Sequence, residues 1–305
     1  MSKPVDIKVK LGTLTLKSPI VCASGTFGYG LEMKGLTDFS RLGAFITKTI
    51  TGEPRVGNLP PRIIEVETGV LNSIGLENPG VDIFIQDYVP HIKKIPCECI
   101  VSIGGHTFEE YKEVLKKLES VKGIRAYEIN LSCPNLQLKR MISQDPHATY
   151  KVVKTLRAKT ARPLIVKVTG ETEDIAKIVG AAKSGGADAV SLVNTFFGMA
   201  IDIVRQKPYL GKGYGGYSGK GIKPLSVYRV WNAAQAVDIP LIGGGGVMNA
   251  ADAIEFFLAG AHVVSIGTLN FLYPNACADI TGGIIAYMRA HKIKKINELT
   301  GRAHE

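Results

Sequence analysis

Eight short apolar runs set what this chain can become. Residues 19–23, 44–48, 98–102, 126–131, 163–168, 189–193, 240–243 and 262–266 are rich in Val, Ile, Leu and Ala. Several are near-continuous in their hydrophobicity, as parallel strands buried on both faces are. Helical patterns separate them. Tyr111, Val114, Leu115 and Leu118 fall at helical spacing behind Thr107-Phe108-Glu109-Glu110, which reads as a capping box. Ile175, Ile178, Val179 and Ala182 form a second stripe that stops at Gly185-Gly186; Asn249 caps a third helix carrying Ile254, Phe257 and Leu258 and ended by Gly260. Parallel neighbours need a crossover rather than a tight turn. Eight strands alternating with helices therefore point to an α/β chain folded as a (β/α)8 TIM barrel.

Residues 6–16 alternate around a Gly-containing turn, so an N-terminal β-hairpin precedes the first barrel strand, placed to plug the barrel floor. Gly186-Ala187-Asp188-Ala189-Val190-Ser191-Leu192 resembles Gly260-Ala261-His262-Val263-Val264-Ser265-Ile266. Such a repeat is what successive βα units require and says little about chemistry. No linker or composition shift divides the 305 residues, a length a single barrel domain commonly has, so one domain over 1–305 is expected. Long insertions leave the C-terminal strand ends at 52–80 and 196–223, and a shorter one at 134–146 reads as a lid; long loops there are usually functional.

The five cysteines are scattered and the six histidines form no ligand pattern, so neither a disulfide framework nor a bound metal is expected. The net charge is +10, but the basic residues are spread along the chain without an arginine-rich arm; an anionic small ligand or an acidic partner accounts for them as well as nucleic acid does, and no nucleic acid is expected. No segment has the length of an apolar membrane span and the first residues carry no apolar signal region, so a cytoplasmic protein with no membrane association is the simplest expectation.

The strand ends carry the polar residues. Ser24, Lys48-Thr49, Ser102, Asn130 with Cys133, Lys167, Asn194-Thr195, Gly243–Gly246 and Gly267-Thr268 all fall where strand becomes loop, the rim on which barrels place their chemistry. Glycines after strands seven and eight let bare backbone N–H groups approach a phosphate, or simply make tight turns. Lys48 and Lys167 end apolar strands; they neutralise an anionic or electron-rich ligand, or form structural ion pairs. Cys133, beside a proline, is a base or nucleophile if its pKa is lowered, and a buried structural thiol otherwise. Gly211-Lys212-Gly213-Tyr214-Gly215-Gly216 matches G-x-G-x-x-G but neither follows a strand nor opens a helix, so it reads as a flexible basic loop rather than a dinucleotide fingerprint.

Taken in order, Asn72-Ser73-Ile74-Gly75-Leu76-Glu77-Asn78-Pro79-Gly80, Asn130-Leu131-Ser132-Cys133-Pro134-Asn135, Val193-Asn194-Thr195, Gly198-Met199-Ala200-Ile201-Asp202 and Gly215-Gly216-Tyr217-Ser218-Gly219 with Ile222-Lys223-Pro224 resemble the class 1 dihydroorotate dehydrogenases, above all the class 1B catalytic subunit, over nearly the whole chain. The resemblance implies an FMN barrel that oxidises dihydroorotate to orotate in pyrimidine synthesis. It implies that Ser24, Lys48, Thr49, Ser102, Asn130, Lys167, Val193, Gly219, Gly245, Gly246, Gly267 and Thr268 hold FMN. The substrate falls to Lys48, Asn72, Ser73, Ile74, Gly75, Leu76, Asn130, Asn194 and Thr195, with Cys133 as the general base. It further implies a homodimer within a heterotetramer, in which a separate subunit with FAD and a [2Fe–2S] cluster passes electrons to NAD+. Two departures stand out: Ser102 where the family usually has Asn, and a 136–142 loop without the usual glycines. The rival readings are a class 1A-like enzyme reducing fumarate, a dihydropyrimidine dehydrogenase-like flavin subunit, and a non-catalytic flavin- or phosphate-binding barrel.

Overall fold

A computed structural model describes residues 5–132, 134–135 and 140–305. Its centre is a closed barrel of eight parallel strands: β1 (Ile20–Cys22), β2 (Ala44–Ile46), β3 (Glu98–Ile103), β4 (Ala126–Asn130), β5 (Leu164–Lys167), β6 (Ala189–Leu192), β7 (Leu241–Gly244) and β8 (Val263–Ile266). They follow one another around the ring in chain order, and β8 closes on β1. The ring pairs Asn130 of β4 directly with Lys167 of β5, at the C-terminal end of both strands. Each strand lies within two residues of its apolar run. The β-branched residues of these strands, such as Ile20, Val101, Val166 and Val190, are almost wholly buried, and each stabilises the fold by roughly 1.5–3 kcal/mol relative to exposure.

Crossovers wrap the ring. The first has only two 3-10 turns, Leu31–Met33 and Phe39–Arg41, and no α-helix. The others contribute α1 (81–92, whose middle, Phe84–Tyr88, is π-helical), α2 (Phe108–Glu119), α3 (Pro146–Arg157), α4 (Ile175–Ser184), α5 (Lys223–Ala234), α6 (Ala250–Leu258) and α7 (Ala276–Ala290). The apolar stripes on α2 and α4 face the barrel as their spacing requires. Asn249 caps α6 by accepting the N–H of Asp252. Thr107 caps α2 by accepting the N–H of Glu110, but the reciprocal half of the expected capping box does not form: the Glu110 carboxylate accepts from His106 N–H and from Arg55 of the first long insertion. No helix among the described residues is long and apolar enough to cross a membrane.

The N-terminal hairpin pairs Val9–Leu11 with Leu14–Leu16. Leu11, Leu14 and Leu16 are buried. A Cβ on Gly12 would meet Asp188, just before β6, and Lys17 Nζ donates to the carbonyl of Pro96, just before β3. Both neighbours mark the N-terminal end of the strands, so the hairpin covers the barrel floor.

At the opposite end the two long insertions are not loops. Ile63–Val66 and Gly69–Asn72 of the first join Gly215–Ser218 and Phe196–Gly198 of the second in one four-stranded antiparallel sheet. The Gly215-Gly216 pair, expected in a flexible loop, is thus the start of a paired strand. Glycine is needed there because a Cβ on Gly215 would lie 2.3 Å from the Asn72 carbonyl and one on Gly216 would meet the Thr195 hydroxyl. In the third insertion Pro134–Asn135 pairs with Arg140–Met141; the remainder of the expected lid, at 136–139, lies outside the described residues, as does Cys133.

Candidate active site

The rim encloses a cavity of about 730 Å³, within the range of small-molecule and cofactor sites. Its three sectors come from different parts of the chain.

The floor is made by the last inward-facing residues of the barrel strands. Lys167, 9 % exposed, ends β5, and Asn130, 7 % exposed, ends β4 beside it. The Asn130 carbonyl accepts from Tyr111 Oη of α2 at 2.6 Å, which fixes the end of β4. The Asn130 side chain donates from Nδ2 to Thr49 Oγ1 (3.2 Å) and accepts the Ser132 N–H at Oδ1. Ser24 donates to the Thr47 carbonyl at 2.8 Å and lies 3.4 Å from Thr49 Oγ1. Ser24, Thr49, Asn130, Lys167 and Val193 all line the cavity.

The second sector is a cradle of backbone. Gly245 and Gly246 follow β7 with φ of 108° and 86°, in the left-handed region that favours glycine. Gly267 and Thr268 follow β8, and Gly219 enters from the second insertion; all line the cavity. Among the described residues, the N–H groups of Gly245, Gly246, Gly267 and Thr268 have no acceptor. Four unspent donors converging on a cavity suit a phosphate. The nearby N-terminus of α6 is occupied by its own cap, since Asn249 accepts from Asp252 N–H and Asp252 from Met248 N–H; the anion site therefore rests on the two glycine turns.

The third sector is the wall supplied by the insertions. Asn72 ends its strand and donates to the Gly216 carbonyl at 3.2 Å. Ser73 is buried and receives Asn58 Nδ2 at 2.8 Å. Gly75 and Leu76 both have positive φ, 76° and 56°, which turns the Ile74–Leu76 backbone into the cavity wall. Asn194 and Thr195 face them from the end of β6, with Asn194 Oδ1 accepting the Thr195 N–H. Lys48 also lines the cavity; its Nζ lies 3.7 Å from Glu77, which Arg62 holds at 3.0 Å.

Thus every site residue expected from the sequence lines the cavity except two. Cys133 lies outside the described residues, although its neighbour Ser132 lines the cavity. Ser102 does not reach the cavity: it is fully buried behind Thr49, 3.0 Å from Thr49 Oγ1, and donates to Glu128 at 3.0 Å. Its side chain is too short to pass the threonine. Glu128 itself, with Ser191 and Ser265, lines the cavity and is not among the expected residues. The sequence does carry a signal for it: a carboxylate in a strand otherwise built for burial on both faces is as anomalous as the lysines. Glu128 is 1 % exposed, and burial pushes its carboxyl above the usual range against the pull of Lys167 and of the Ser102 hydrogen bond.

Comparison with known proteins agrees with this geometry. The family profile described as "Dihydroorotate dehydrogenase" matches residues 6–288. The protein named dihydroorotate dehydrogenase B (NAD(+)), catalytic subunit, from Desulforamulus reducens is 46 % identical over 301 residues, 98 % of this chain and 99 % of that protein. Its namesake from Alkaliphilus metalliredigens is 45 % identical over 298 residues, 97 % of this chain and 98 % of the other. In fold, the crystal structure of DHODH in complex with ferulenol from Eimeria tenella matches with a TM-score of 0.83 at 19 % identity, covering 98 % of this chain and 89 % of that one. With the barrel, its rim insertions and the motifs that furnish the cavity all inside the matched span, the chain belongs to the dihydroorotate dehydrogenase family.

Proposed function

We propose that this chain is the catalytic subunit of an NAD-linked dihydroorotate dehydrogenase, an FMN enzyme that oxidises dihydroorotate to orotate in pyrimidine synthesis. The observation that carries the proposal is the division of one cavity into a backbone-donor cradle at one end and a wall of amides, hydroxyls and lysines at the other. The cradle fits the FMN phosphate, because four N–H groups await an acceptor and Gly267 offers space where a Cβ would find only Ala23, 3.8 Å away. Gly219, Gly245, Gly246, Gly267 and Thr268 would hold the phosphate end. Ser24, Lys48, Thr49, Asn130, Lys167 and Val193 would hold the ring. When bound, FMN supplies the two-electron acceptor for the hydride leaving C6 of the substrate.

The chain's own residues do the rest. Asn72, Asn130, Asn194 and Thr195 offer donors and acceptors that suit the alternating N–H and C=O edge of a pyrimidine, with Ser73, Ile74, Gly75 and Leu76 forming the wall behind it. Lys48 meets the substrate carboxylate. Lys167 supplies positive charge at the floor. Cys133 takes the C5 proton as general base; the cavity position of Ser132, next in sequence, supports this role. The relatives are named for a catalytic subunit, which supports a partner carrying FAD and [2Fe–2S] that hands electrons to NAD+. We read the chain as one FMN-binding domain over 1–305, cytoplasmic, and paired as a homodimer within a heterotetramer.

A visible spectrum of the purified protein, taken before and after anaerobic addition of dihydroorotate, tests the proposal. A flavin band bleached by dihydroorotate and not by dihydrouracil is expected. A protein that cannot be loaded with FMN, or one bleached only by dihydrouracil, would refute it.

A further inference from the structure

Resting on the FMN reading, we infer that Glu128 is a positioning residue that fixes the orientation of the Asn130 amide through Ser102 and Thr49 and sets the charge opposite Lys167. The geometry is a directed relay. Asn130 Nδ2 donates to Thr49 Oγ1 at 3.2 Å, and Thr49 and Ser102 hydroxyls lie 3.0 Å apart. Ser102 Oγ donates to Glu128 Oε1 at 3.0 Å. With the Ser102 proton spent on Glu128, the Thr49 hydroxyl donates to Ser102 and accepts from Asn130. The amide is left with Nδ2 toward Thr49 and Oδ1 toward Ser132 N–H. The relay from Glu128 and the Ser132 N–H thus hold the amide the same way round, and together they set which edge of Asn130 meets a ligand. Ser102, which the family pattern would give to the cofactor, is a link in this relay instead.

The second half is electrostatic. Glu128 and Lys167 stand on adjacent strands with both side chains lining the cavity, and Lys167 is the charge that acts on the Glu128 carboxylate. A buried carboxylate with one serine hydroxyl as its hydrogen-bond partner among the described residues is costly to stability. At the cavity floor it would offset part of the positive field that Lys167 presents to a bound flavin, which supplies two-electron chemistry.

Two variants separate the halves. Glu128→Gln keeps an acceptor for Ser102 and removes the charge. The reduced form of bound FMN should gain roughly tenfold over the oxidised form, the effect of one nearby charge, a rise of about 30 mV in the two-electron midpoint potential. Its melting temperature should hold or rise, because an ion leaves the interior; a merely structural residue would lower it. Ser102→Ala cuts the relay, so orotate should bind about fivefold more weakly, the worth of one hydrogen bond. An unchanged potential in Glu128→Gln together with unchanged orotate affinity in Ser102→Ala would overturn the inference while the FMN reading stands. If Glu128→Gln does not fold, unchanged orotate binding in Ser102→Ala alone overturns the positioning role. Wild-type protein that takes up no FMN would overturn both readings together.

Discussion

The two glycine turns make a prediction that separates folding from binding. In Gly246→Ala the new Cβ would sit 2.7 Å from the Lys223 backbone nitrogen and 2.8 Å from its Cα. Lys223 cannot yield easily: it opens α5, and its ammonium is held by Asp252 and Glu255, each at 2.7 Å. The overlap costs about 1–3 kcal/mol, and holding alanine at a left-handed φ adds about 1–2 kcal/mol. The combined cost is about 2–5 kcal/mol. For 305 residues, an unfolding entropy of about 2.1 cal/mol/K per residue converts this to a loss of roughly 3–8 °C in Tm. Gly267→Ala differs. Its φ is not left-handed, and its Cβ would find only Ala23 at 3.8 Å, an ordinary contact beside the cavity. The apoprotein should melt within about 1 °C of wild type. Its methyl group enters the phosphate cradle, so FMN affinity should fall by about 1–3 kcal/mol, roughly 5- to 150-fold. Thermal melts of the apoproteins and fluorescence titration with FMN give both quantities. If Gly267→Ala melts as low as Gly246→Ala, or Gly246→Ala melts with wild type, the assignment of one glycine to packing and the other to the ligand is wrong.

Cys133→Ser should slow anaerobic reduction of FMN by dihydroorotate at least about 100-fold at neutral pH, the usual worth of a general base, and recover partly at higher pH; a wild-type rate in stopped flow would remove Cys133 from the mechanism. His262 is held below its usual pKa, first by burial, and its Nδ1 lies 3.3 Å from Leu241 N–H as an acceptor. The unfolded chain therefore binds that proton more readily, so the contribution of His262 is full above about pH 6.5 and is lost as pH falls below it. Tm measured from about pH 7.5 to about 5.5, the span that brackets an ordinary histidine, should fall more steeply for wild type than for His262→Gln, and parallel curves would contradict this. The isolated chain should oxidise dihydroorotate with artificial acceptors and hardly with NAD+, and adding the FAD and [2Fe–2S] partner should confer NAD+ reduction; fast NAD+ or fumarate turnover by the lone chain would show that the class 1B assignment is mistaken.

The barrel is legible in the sequence because its signal is redundant. Burial on both faces forces apolar runs at each strand, and the helix caps at Thr107 and Asn249 mark where the crossovers begin. The rim residues are legible for the complementary reason: Lys167 or Asn130 at the end of an apolar strand has no packing role. The insertions mislead because their pairing is not written in period-two alternation. Gly215-Gly216-Tyr217-Ser218 has glycine where backbone and Thr195 crowd in, and glycine reads as loop whenever the partner strand is unknown. Asn72, the partner of Gly216, is more than a hundred residues away in sequence. Glu128 escapes notice because it sits inside a strand rather than at its end, and only the ring shows that its side chain lines the cavity. The inward reach expected of Ser102 fails for a similar reason: sequence gives the residue and its strand but not that Thr49 stands in front of it.

These two kinds of legibility correspond to two ways of building the site. The cradle end is built mainly by the barrel, since the turns after β7 and β8 bring their N–H groups together once the ring closes, with Gly219 added by the second insertion. The opposite wall depends on contacts between distant segments. Asn72 is fixed by the Gly216 carbonyl, Ser73 by Asn58, and the strand carrying Gly216 runs beside Phe196–Gly198, the continuation of Asn194 and Thr195. A four-stranded sheet thereby ties the wall together by backbone pairing. Residues that must read the hydrogen-bonding edge of a small ring have to be held to within a fraction of an ångström, which long free loops do not achieve. That requirement explains why insertions of this length are folded on themselves, and why their glycines, which look like slack in the sequence, are the positions where two strands and the cavity wall come closest.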